Sequence, residues 1–191
     1  MSKFWLKTFL VAALASPLIP QRVGAASNDD FQKAKAEAVE VTVNGRGPFG
    51  GLNTLAALSR AWSVSSFYTD WTGSGRSRTP YWVVRRATGG MRTPTAVQWA
   101  DSRSCPSVRP MLETLEALPA PVANIPGLGR PRELSLVTDG ESHELWLNFA
   151  VYPNDARGGL RIDGNVDSPI AAWWRAALPE LKDCWSRKVP D

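Results

Sequence analysis

WSVSSFYTDWTGSGRSRTPYWVVRRATGGMRTPTAVQWAD, residues 62–101, decides the fold class. Its three runs Trp62–Trp71, Tyr81–Ala87 and Thr95–Asp101 are rich in aromatic and β-branched residues, and each reads as a strand. Thr72–Pro80 is a Gly/Ser/Arg loop between the first two. Thr88–Pro94 carries Gly89-Gly90, which makes the second and third a hairpin with a longer loop.

Downstream the period changes. Val108, Met111, Leu112 and Leu115 recur at i, i+3, i+4 and i+7 and predict a helix with one apolar face, opened by Pro106. Pro119, Pro121 and Pro126 end it. Asp139-Gly140 predicts a hairpin between Glu133–Thr138 and His143–Tyr152, and Leu160–Ile162 a further short strand. Ser168-Pro169 caps and starts a last helix, whose apolar face holds Ile170, Trp173, Trp174, Ala177 and Leu181. Adjacent helical residues point about 100° apart, so only one of Trp173 and Trp174 is expected at the centre of the core. Upstream, Val39, Val41 and Val43 alternate with polar residues over Ala38–Val43 and predict a half-buried strand. Leu52, Leu55, Ala56 and Ser59 predict a short helix over residues 52–61. The order lacks the regular βαβ alternation of a parallel sheet. It predicts an α+β domain: an antiparallel sheet of about five or six strands packed against two main helices, with one disulfide.

Composition agrees. The 191 residues are 43% apolar and 21% charged, with 15 Gly and 15 Pro, which suits one soluble globular domain and excludes collagenous, coiled-coil and disordered chains. The first 25 residues read as a secretory signal peptide. Lys3 and Lys7 form a positive start, Phe9 to Ile19 an apolar stretch, and Val23-Gly24-Ala25 a small-residue exit. That stretch is shorter than the ~20 residues a spanning helix needs. The expected organisation is a signal peptide over 1–25, a polar leader over 26–37 and a single α+β domain over 38–191. Within the leader, Ser27 or Asn28 can equally cap a short helix with Asp29 and Asp30 in its first turn. The expected location is the periplasm or the extracellular space of a bacterium, with no transmembrane segment in the mature chain. The formal charge of +4 comes from 22 basic and 18 acidic residues. Lys3, Lys7 and Arg22 lie in the signal stretch, which has no acid, so about +1 remains beyond it. That balance gives no electrostatic footprint for nucleic acid.

Export makes Cys105 and Cys184, the two cysteines, a candidate disulfide closing a long loop. Two free thiols or a bridge between chains are the alternatives.

Four motifs point to chemistry. Gly45-Arg46-Gly47-Pro48-Phe49-Gly50 has the G-x-G-x-x-G spacing of a dinucleotide loop, with Asp70 where a ribose carboxylate is expected. Pro48 removes a backbone donor that the pyrophosphate would need, and a plain glycine turn accounts for the run. Cys105, His143 and Asp163 occur in the order used by transglutaminase-like cysteine enzymes. The resemblance implies Cys105 as nucleophile and His143 as base. Against it stand Pro106 and the ready partner Cys184. Asp163, Asn165 and Asp167 have calcium-loop spacing, but Ser168 and Trp174 replace its glycine and glutamate. No metal site and no cofactor is expected. The last motif is aromatic. Trp71, Tyr81 and Trp82 flank a loop carrying Arg76 and Arg78. Aromatic faces stack on sugars and guanidinium groups hold carboxylate or phosphate, which makes Trp71, Arg76, Arg78 and Trp82 a candidate ligand-binding set. Core filling is the plainer reading of any single tryptophan.

The functional expectation is an exported, non-enzymatic accessory or binding domain, with an envelope protein or glycan as partner. The alternative is an exported cysteine-type enzyme built on Cys105 and His143.

Overall fold

The computed structural model describes residues 28–122, 125, 127, 140–151 and 157–191. The chain forms α1 (Asn28–Glu40), β1 (Gly50–Ala56), β2 (Trp62–Thr72), β3 (Thr79–Gly90), β4 (Thr93–Asp101), α2 (Val108–Glu116), β5 (Glu141–Val151), β6 (Arg157–Gly164) and α3 (Pro169–Glu180). The strands form one antiparallel sheet in the order β4-β3-β2-β1-β5-β6. β1 to β4 are a meander. After α2 the chain returns to lay β5 and β6 on the free side of β1. The protein is an α+β fold with one disulfide, Cys105–Cys184.

Helices cover both faces. On one, Leu52, Phe67, Val84, Ala100 and Leu145 meet the apolar sides of α2 and α3. Ser168 caps α3, its hydroxyl accepting from the Ala171 N–H at 3.2 Å, and Pro169 takes the first turn, where its missing donor costs nothing. Trp173 and Trp174 are both buried, which corrects the expectation that only one reaches the core. Two partners, not one, flank this helix. The Trp173 indole reaches α2 and donates to the Met111 carbonyl and the Thr114 hydroxyl, while Trp174 lies beside it with ring centroids 5.6 Å apart.

The other face carries α1, with Phe31, Ala34 and Ala38 set against Trp62, Val64 and Ala87. Residues 28–37 are therefore part of a helix packed on the sheet. The strand expected over Ala38–Val43 is instead the end of α1 and a turn. Helical spacing of Phe31, Ala34 and Ala38 outweighs the valine alternation, and Val39 is left 55% exposed. The helix expected over 52–61 is also corrected: Gly50–Ala56 is β1, held on both sides by β2 and β5. A strand inside a sheet with both faces covered loses its period-2 pattern, and Leu52 and Asn53 are both buried. The partner strand expected at Glu133–Thr138 lies outside the described residues. From His143 to Leu147, β5 is bonded to β1 on one side and β6 on the other.

Candidate functional site

The site grows from a tight turn that brings α1 into the sheet. Asn44 and Gly45 have φ of 48° and 76°, and Val43 and Arg46 exchange both backbone hydrogen bonds at 2.9 Å. Positive φ at both central residues is the twist of a two-residue hairpin turn, which Asn-Gly adopts at least cost. The turn directs two side chains onto β2. Asn44 Nδ2 donates to Asp70 Oδ2 at 2.9 Å, and Arg46 Nε donates to Asp70 Oδ1 at 2.9 Å. The Tyr81 hydroxyl, from the cross-strand neighbour, donates to the same Oδ2 at 3.0 Å. The Asn44 hydrogen bond, helped by the Trp71 backbone N–H, Tyr81 and Arg46, overcomes burial and holds the carboxyl at about 2. A carboxylate with this many donors is saturated. It serves the protein's own chain and leaves no acceptor for a ribose, so the glycine-rich run is a turn in which Arg46 is the working residue.

Arg46 then does a second job. Its guanidinium lies 4.6 Å from the centre of the Trp71 ring, and Arg78 lies 5.3 Å from the same ring. Two cations share one indole, which remains 38% exposed. The β2–β3 connection makes a short helical turn over Gly75–Ser77, and residues 72–80 are exposed throughout. Arg76 and Arg78 have no carboxylate partner among the described residues. Asp70, at the base of the hairpin, is already saturated by its own donors.

Trp82 lies apart. It packs partly against the α2–α3 core, with the Arg109 guanidinium 5.5 Å from its ring. With Phe49, Leu112, Leu147 and Phe149 it lines a cleft of about 310 Å³ between α2 and the sheet. The four sequence-predicted ligand residues thus divide. Trp71 and Arg78 meet, Arg76 stands exposed on the same hairpin, and Trp82, on the same sheet face as Trp71 by register, packs into the α2 cleft instead. Sequence reasoning missed Arg46. The Asn44-Gly45 dipeptide signals the turn that directs Arg46 back toward β2.

Cys105 and Cys184 are bonded to each other, with Cα atoms 5.5 Å apart, and Cys105 is buried. The sulfur that the cysteine-enzyme reading needs as a thiolate is consumed by that bond. His143 keeps other company: its Nδ1 is 3.4 Å from the Thr54 hydroxyl and its Nε2 is 3.4 Å from Glu141. Burial, with the Arg175 charge adding to it, lowers its pKa despite Glu141. In the calcium-like run, Asn165 is engaged locally. Its side-chain oxygen accepts from the Asp167 N–H and its carbonyl from the Ser168 hydroxyl, which shapes the entry to α3.

No family model, curated protein or solved structure matches this chain. Function is therefore read from geometry and chemistry.

Among the described residues, no helix is long and apolar enough to cross a membrane. The chemistry on offer at the β2–β3 hairpin is recognition. Two guanidinium groups, Arg46 neutralised by Asp70 and Arg78 with no carboxylate partner among the described residues, lie over the exposed Trp71 indole at the base of the β2–β3 hairpin, and Arg76 stands exposed on the loop beyond it. Guanidinium forks match carboxylates and phosphates, and an indole face takes a sugar ring or another planar group.

Proposed function

We propose that this is an exported, non-enzymatic binding domain. It holds an anionic envelope glycan, one bearing carboxylate or phosphate groups, at the β2–β3 hairpin. The observation that carries the reading is Arg78, without a carboxylate partner among the described residues, over a Trp71 ring that it shares with Arg46, with Arg76 exposed on the same hairpin loop. Asp70 fixes Arg46 from below, so part of the cationic surface is preorganised before any ligand arrives. The reading also draws on the disulfide, which suits an oxidising compartment, and on the signal-like stretch over residues 1–25.

The test is a binding screen of the purified protein against acidic envelope glycans, with anionic lipid vesicles and neutral glycans as separate arms. Arg76→Ala combined with Arg78→Ala is expected to abolish capture of the acidic glycans. Stability should stay within about 0.5 kcal/mol, as for exposed positions. Equal binding by wild type and double variant overturns the reading. Export is checked independently: the intact mass of the envelope form should correspond to a chain beginning near Ala26.

A further inference from the structure

The two edges of the sheet are finished differently. At the β4 edge, Trp99 and Ser186 exchange backbone hydrogen bonds of 2.8 and 2.9 Å, so the C-terminal segment closes that side. The Cys105–Cys184 bond anchors this segment two residues before Ser186. β6 forms the opposite edge and pairs with β5 alone among the described residues. An open edge presents a row of unpaired N–H and C=O groups that templates another strand.

The sequence of β6 specifies which strand. Arg161 and Asp163 are two apart and share one face, the face that carries α1. Arg161 reaches Glu144 with one terminal nitrogen at 3.1 Å, yet its side chain stays 68% exposed, so most of its donor fork is unused. Asp163 has no ion-pair partner among the described residues. Leu160, on the other face, is 38% exposed.

We propose that β6 is a self-association edge, along which two copies pair antiparallel with Ile162 opposite Ile162 of the second copy. A two-fold axis through that point sets Arg161 against the second copy's Asp163, and Asp163 against its Arg161. Leu160 then lies opposite Gly164, over which the Ser168 side chain packs. The neighbouring symmetric registers that keep the same face up fail. One places Arg161 against Arg161 and the other Asp163 against Asp163, and like charges directly opposite destabilise a strand pair. Side-chain charge therefore selects one register out of the three. The result is a continuous twelve-stranded sheet, six strands from each copy. The contact is a short strand pair, so the dimer is reversible and concentration-dependent.

Sedimentation velocity over a concentration series tests this. The wild type is expected to shift from monomer to dimer as concentration rises. Asp163→Arg, at a position with no ion-pair partner among the described residues, should weaken association by about tenfold or more. Adding Arg161→Asp to it should restore association, because the exchanged charges are complementary again. Ile162→Cys should yield a disulfide between the two chains at that position under mild oxidation, identified by peptide mapping. Thermal melts of each variant separate a lost contact from a lost fold. A wild type that stays monomeric at every concentration overturns the proposal. So does a dimer that Asp163→Arg leaves intact, or a folded Ile162→Cys variant that gives no link.

Discussion

Asp70 is held by three side chains at once, Asn44 and Arg46 from the turn after α1 and Tyr81 from the neighbouring strand. Its spacing matches a ribose ligand, a reading that Pro48 already argues against, and in the structure it locks the Asn44–Arg46 turn onto β2. Its carboxyl sits at about 2, against an ordinary 3.8, chiefly through the Asn44 hydrogen bond. The folded state therefore binds its proton more weakly than the unfolded state does. The stabilisation is complete above pH 3.8 and is lost as pH falls through about 2. Asp70→Asn is expected to flatten this acid limb of the urea-midpoint profile. At neutral pH it should cost about 1–3 kcal/mol, because Arg46 and Tyr81 lose their charged acceptor. A variant whose profile keeps the wild-type slope between about pH 4 and pH 2 would remove Asp70 from that role. Asn44→Ala should reproduce part of the same loss. It also removes the residue best suited to φ of 48°, so its effect reaches the turn as well as the carboxylate.

At the scale of elements, legibility followed solvent. α2 and α3 each have a wet side and a dry side, so Val108, Met111, Leu112 and Leu115, and Ser168-Pro169, spelled out their helices. β2, β3 and β4 were legible through their aromatic and β-branched content. β1 was not, because it lies inside a sheet covered on both faces and its Leu52, Leu55 and Ala56 mimic a helical interval. Gly50 and Gly51 were the informative residues. A Cβ on Gly50 would meet Leu147 Cδ2 at 2.5 Å and the Trp146 carbonyl, and one on Gly51 would meet the Trp146 indole and the Ser65 carbonyl. These glycines are what a close approach of β5 looks like in sequence. Gly51→Ala is expected to destabilise by about 1–3 kcal/mol, the usual range for overpacking. Since Trp146 lies over the position, near-ultraviolet circular dichroism should change with it. A variant as stable as wild type with an unchanged tryptophan spectrum would show that β5 can retreat at no cost. The binding set was only half legible for a related reason. Trp71 and Trp82 are both strand-end aromatics on one sheet face, and only α2, placed by tertiary packing, covers Trp82 and leaves Trp71 open.

Across the whole molecule, the disulfide links features that sequence order separates by 79 residues. Cys105 lies between the end of β4 and the start of α2, and Cys184 follows α3. The bond therefore closes the α2–α3 side of the core and fixes the chain just before Ser186 bridges to Trp99. Arg86 stacks its guanidinium 4.4 Å from the Trp185 ring in the same stretch, and Arg103 donates to the Asp191 carbonyl at 2.7 Å. Of these contacts holding the C-terminal segment along β4, only the sulfur bond is covalent. Cys184→Ser is expected to cost about 2–5 kcal/mol. A uniform loss would mean that the bond acts only by restricting the unfolded chain. The geometry predicts an additional local effect. The amide of Trp99, which donates to Ser186, should exchange faster with solvent by more than the global stability loss accounts for. Amides of β1, enclosed by β2 and β5, should follow the global loss alone. Native-state hydrogen exchange on wild type and Cys184→Ser reads both at once. Equal acceleration at Trp99 and in β1 would show that hydrogen bonds and the Arg86–Trp185 stack hold the β4 edge without the disulfide. A freed β4 edge should also offer a second template for strand pairing, so the Cys184→Ser protein is expected to form oligomers larger than a dimer, through β4 and β6 together.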